Sequence, residues 1–212
     1  EVDQLIAGYP VPDGVDLEIG GTVEDQGDAF SDLGVLFILI VILVYIVMAT
    51  QFESLLFPFI IMFTIPFAFT GVFLALWMTS TPLSLIALIG AIMLVGIVTK
   101  NGIVMVDYMN LLIERGSGVF DAVIAGGKSR LRPVLMTSFT TILGMLPLAI
   151  GTGVGSETWQ PMGIAVIGGL TFSTLLTLFI IPALYSVFVN RSQRKEREKL
   201  ARLSAEHQAS KH

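Results

Sequence analysis

A lysine and an asparagine, Lys100 and Asn101, sit inside Leu83–Val106, a run of apolar and small residues long enough to cross a bilayer. At 1.5 Å of rise per residue this run matches a hydrocarbon core of about 30 Å. An ammonium group there costs roughly 2.5–3.5 kcal/mol on insertion scales, and ionisable residues at that depth usually have a partner and a function. Asp107 is two turns further along the same face, about 10 Å away by helix rise, too far for a direct ion pair. Glu53 and Glu157 belong to loops. Two readings follow for Lys100. It can snorkel to the nearer interface, or it can pair with a carboxylate from outside these helices. A lysine held between a carboxylate and its neutral form is what a proton relay requires.

A second polar set follows. Arg130, Thr137, Thr141 and Gly144 are spaced by seven, four and three, which puts them on one helix face, with Ser138 and Thr140 at its flanks. Such hydroxyls either serve a relay or glue helices together by hydrogen bonds, and Arg130 is also placed to set topology. Ala165, Gly169, Ser173 and Thr177 recur at four-residue spacing. Small residues in that pattern read as helix packing.

The elements that must carry these residues follow from composition. Of 212 residues, 54% are hydrophobic and 14% charged, against about 25% charged in a soluble domain. The class is an all-α integral membrane protein. Five spans are expected, at about 33–50, 55–78, 83–110, 133–151 and 162–189. Between the third and fourth, Val119, Phe120, Val123 and Ile124 suggest a short helix over 118–129. It reads either as an amphipathic helix on the membrane surface or as a connecting helix packed on the bundle.

Charge sets the orientation. Residues 1–32 hold nine acids and no base, whereas the tail 191–212 holds seven bases and three acids. Arg115, Lys128, Arg130 and Arg132 fall between spans three and four. The positive-inside rule puts that loop and the tail in the cytoplasm and the N-terminus outside. Val15–Ile19 alternates like a strand. One strand is no domain, so residues 1–32 read as the end of an external α/β domain, and the chain as the C-terminal part of something longer.

Other chemistries are disfavoured. Cysteine is absent, and both histidines lie in the tail, so no metal site is expected. Gly151–Gly155 lacks the Lys-Ser/Thr of a phosphate loop. No cofactor and no enzymatic activity are expected. Transport by this chain would draw on an ion gradient. The mixed-charge tail reads as solvated or touching membrane lipid rather than binding nucleic acid.

The runs Val98-Thr99-Lys100-Asn101-Gly102-Ile103-Val104, Val106-Asp107-Tyr108 and Arg130-Leu131-Arg132-Pro133-Val134-Leu135-Met136-Thr137-Ser138 resemble the C-terminal region of a resistance–nodulation–division (RND) transporter. The branch resembled is the hydrophobe/amphiphile efflux branch, the multidrug permeases. Gln51-Phe52-Glu53-Ser54, Leu143–Leu148 and Val11–Val15 also fit. The resemblance covers nearly all of the chain except the tail.

It implies that the five spans are helices eight to twelve of a twelve-helix protomer in the bacterial inner membrane, with residues 1–32 ending its periplasmic porter domain. Lys100 would pair with two aspartates on helix four, with Asn101 beside it and Arg130 and Thr137 completing a proton relay. Asp107 and Thr141 are secondary candidates. Protons are the implied coupling ion for xenobiotic antiport. The implied partners are the N-terminal part of the transporter, two further protomers in a homotrimer, a periplasmic adaptor and an outer-membrane channel. The rival expectations are a half-size protein-export or lipid-transport subunit of the same superfamily, and a non-transporting membrane scaffold.

Overall fold

The computed structural model describes residues 22–151, 153 and 155–209, with side chains from Asp25 to Val189. The strand expected at Val15–Ile19 lies outside the described residues. Six helices follow in order: α1 Thr22–Phe52, α2 Leu56–Met62, α3 Ile65–Met78, α4 Leu85–Glu114, α5 Val119–Ile150 and α6 Ser156–Ala209. Taking α2 and α3 together, five segments are long and apolar enough to cross a membrane.

The boundaries differ from expectation in four places. Helix α1 begins at Thr22, eleven residues before the expected start. Its first two turns carry Asp25 and Asp28, which favour the positive end of the helix dipole. The second span, expected as one piece, breaks between α2 and α3. Pro66, at the start of α3, has no N–H to continue the ladder, and the Thr64 hydroxyl donates to the Ile61 carbonyl at 2.7 Å.

The third difference corrects an expectation. Residues 118–129 form no separate surface helix, because Val119–Ile150 is one continuous helix running through Pro133. A proline costs that ladder one hydrogen bond, and the well-populated helix on either side of it persists. Fourth, α6 starts before Pro161 and runs on through the basic tail to Ala209.

Local caps explain the turns. Ser84 accepts a hydrogen bond from the Ala87 N–H at 3.2 Å and starts α4. Gly151 ends α5 in the left-handed region, φ 65°, where a side chain would be strained.

Helix α6 is the hub, packed against α3, α4 and α5. Its approach to α3 requires glycine. A Cβ on Gly71 would lie 2.5 Å from the Phe172 Cβ and 2.7 Å from the Gly168 carbonyl oxygen. Two apolar clusters flank the middle of the bundle. One joins Ala68, Val72, Ala91, Leu94, Val98, Ala165 and Leu170. The other joins Met48, Ile60, Met105, Met109, Ile181 and Tyr185. Lys100 falls in the stretch of α4 between Val98 and Met105, where one cluster ends and the other begins.

Candidate functional site, a polar cleft between α4 and α5

The short turn after Glu114 folds α5 back along α4, so the two helices run antiparallel. A cleft of about 140 Å³ lies between them, lined by Ile97, Lys100, Asn101, Thr137, Ser138 and Thr141. Four residues singled out from the sequence, Lys100, Asn101, Thr137 and Thr141, therefore meet in one place. Lys100 is exposed, while Asn101 and Thr141 are half-buried. The lining contains no carboxylate.

Arg130 is placed elsewhere. Its guanidinium lies over the Tyr108 ring, 4.5 Å from the centroid. Tyr108 is seven residues beyond Asn101, and Arg130 is seven before Thr137, so the two pairs sit about two turns apart in one antiparallel register. The Arg130 Nε is buried without a hydrogen-bond partner among the described residues. Asp107 is exposed and does not line the cleft.

The hydroxyls divide by what they donate to. Thr137 donates to the Val134 carbonyl at 3.0 Å, Thr140 to Met136 at 2.9 Å and Thr141 to Thr137 at 2.9 Å. Each is thereby spent as a donor on its own helix. The oxygens of Thr137 and Thr141 that line the cleft keep lone pairs for an incoming donor. An ammonium or amide N–H is such a donor, and the cleft supplies both in Lys100 and Asn101. Ser138 differs, because its hydroxyl pairs with that of Thr174 on α6 at 2.9 Å, with both residues buried.

The packing series on α6 lies inside. Ala165, Ser173 and Thr177 are almost fully buried, and Gly169 is buried with them. The Thr177 hydroxyl has no hydrogen-bond partner among the described residues.

Sequence reasoning did not single out Thr174, nor Tyr108 as the seat of Arg130. A seven-residue spacing does predict which α5 residues share a face. What the face meets depends on the register between helices, which no local pattern encodes. Among the described residues, no group of three or more His, Asp or Glu is placed to hold a metal ion.

Comparison with known proteins adds a consistent set of likenesses. A family model described as the AcrB/AcrD/AcrF family matches residues 1–189. The chain is 39% identical over 185 residues to the swarming motility protein SwrC of Bacillus subtilis, covering 87% of the chain and 18% of that protein. It is 39% identical over 175 residues to the cobalt-zinc-cadmium resistance protein CzcA of Cupriavidus metallidurans, covering 82% and 16%. The multidrug resistance protein MdtC of Erwinia tasmaniensis is 38% identical over 197 residues, covering 92% and 19%. A crystal structure of a heavy metal efflux pump superposes with a TM-score of 0.73 at 31% identity, covering 84% of this chain and 18% of that one. The chain thus spans less than a fifth of the length of these relatives.

Proposed function

Since the chain belongs to the AcrB/AcrD/AcrF family of RND transporters, we propose that it is the C-terminal membrane part of a proton-driven efflux pump, with Lys100 as the ion-pair switch of the proton pathway. The observation that carries this reading is the convergence of Lys100, Asn101 and Thr137 on one cleft between α4 and α5. The cleft offers two kinds of donor and free hydroxyl oxygens, but no carboxylate. An ammonium in a low-dielectric slot needs an anion, and the two aspartates implied by the family resemblance would supply it from a helix of the N-terminal part. Protonating those aspartates weakens their hold on Lys100, which then turns to the oxygens of Thr137 and Thr141. That exchange converts a proton's arrival into a change in the contact between α4 and α5. Arg130 on its tyrosine ring sits two turns along the same path, toward the cytoplasmic side to which a proton-driven exporter releases its protons, and its positive charge favours that release.

The proposed setting is a homotrimer in a bacterial inner membrane, with the N-terminus periplasmic and the basic tail cytoplasmic. A periplasmic adaptor and an outer-membrane channel complete the exporter. For cargo we propose hydrophobic or amphiphilic compounds, in line with the motif runs around Lys100 and Arg130 and with the multidrug resistance relative.

The test is drug–proton exchange by the full-length transporter in liposomes under an imposed pH gradient. Lys100→Ala is expected to abolish both dye efflux and the coupled proton flux while the protein inserts normally, since Lys100 is exposed. Wild-type exchange by that variant would end the reading.

A further inference from the structure

Four hydroxyls lie between Thr137 and Thr141, and three of them donate to carbonyls of their own helix. Ser138 is the exception. It lines the cleft on one side and reaches across to Thr174 of α6 on the other. Three residues further along α6, on the same side of the helix, Thr177 is 2% exposed and its hydroxyl has no partner among the described residues. An unpaired buried hydroxyl is normally eliminated or satisfied, because leaving it unmade is costly. A serine bonded to one hydroxyl of α6, with an idle buried hydroxyl one turn further along the same helix, makes a contact with a second setting.

Building on the relay reading above, we propose that Ser138 is a positioning residue that transmits the state of the cleft to α6 by exchanging its hydrogen bond between Thr174 and Thr177. The axial offset between the two threonines is about 4.5 Å by helix rise. A shift of α5 along α6 of less than one turn, taken up partly by side-chain rotation, moves Ser138 from one to the other. Packed helices change by such discrete steps rather than by continuous deformation. Either hydroxyl of the present pair can donate. The serine proton can therefore turn toward Thr174 or toward the cleft, where a protonation event would redirect it. In one setting Thr177 is idle and in the other Thr174 is, so hydrogen bonding alone favours neither and the charge state of the cleft chooses. Helix α6 also packs on α3 and α4, so its shift reaches the whole bundle.

The decisive variant is Thr177→Val in the full-length transporter, since the Thr177 hydroxyl has no hydrogen-bond partner among the described residues. A purely packing role predicts unchanged or higher thermal stability and unchanged efflux. The proposal predicts unchanged or higher stability with efflux reduced about two- to thirtyfold. It also predicts recovery in Thr177→Ser and a displaced pH profile of transport in Thr177→Val. Ser138→Ala should reduce efflux similarly, and adding Thr177→Val to it should reduce efflux no further. Wild-type efflux and pH profile in Thr177→Val would overturn the inference, as would strictly multiplicative losses in the double variant. Lys100→Ala separates the two levels: its inactivity with an unaffected Thr177→Val leaves the relay standing and removes only the exchange.

Discussion

The Arg130 guanidinium rests on the face of Tyr108, 4.5 Å from the ring centroid, and so bridges α5 to α4 two turns from Lys100. The stack holds a cation in a half-buried position where its Nε finds no hydrogen-bond acceptor among the described residues.

Exchanging the ring for another of the same shape tests that stack. Tyr108→Phe keeps the π face and should leave stability and transport close to wild type. Tyr108→Leu should lose about 0.5–2 kcal/mol of stability, read as a lower midpoint of thermal unfolding in detergent. Equal behaviour of the two variants would mean that the ring contributes only bulk.

Charge retention is a sharper probe of Lys100 than its removal. Lys100→Arg keeps a cation in the cleft but replaces a compact, freely rotating ammonium by a planar fork with different reach and hydrogen-bond geometry. Insertion and folding should be unchanged, while proton-coupled efflux should fall at least about tenfold if the switch contributes the 1.4 kcal/mol or more that such a factor represents. Full activity with arginine would assign Lys100 a purely electrostatic role.

The glycine approach between α3 and α6 carries a steric prediction. A Cβ on Gly168 would press against Ala75 and stand 2.9 Å from the Gly71 carbonyl oxygen. Gly168→Ala should destabilise the bundle by about 1–3 kcal/mol through overpacking, and Gly168→Val by more. Comparing expression and unfolding temperature of both variants checks the order.

Tyr185 is fully buried, stacked on Phe57 with centroids 5.7 Å apart, and donates its hydroxyl to the Asn110 side-chain oxygen. Tyr185→Phe retains the stack but strands the Asn110 oxygen, at a cost of about 1–3 kcal/mol. Restoring stability by adding Asn110→Leu would attribute the loss to that single bond. Persistence of the deficit would place it in the ring packing instead.

How much of this was legible before folding differs by feature. The five spans were readable because crossing a membrane is a local demand, a run of apolar residues of sufficient length. Residues 118–129 and the span expected from Pro133 form one helix, since a proline in sequence looks like a boundary, yet a helix supported on both sides continues through it. The seven-residue step from Arg130 to Thr137 was readable as one face of α5. That Asn101 and Tyr108 stand opposite them was not.

Sequence by itself determined what each helix offers: a lysine with no acid nearby, a face of hydroxyls and a file of small residues. The tertiary structure decided what those offers meet. It turned three of the four hydroxyls between Thr137 and Thr141 back onto their own carbonyls, sent Ser138 across to Thr174 and left Thr177 without a hydrogen-bond partner among the described residues. Composition and helical spacing are properties of one segment. A hydrogen bond between helices depends on the register set by the simultaneous packing of α4, α5 and α6, and that register belongs to none of them alone.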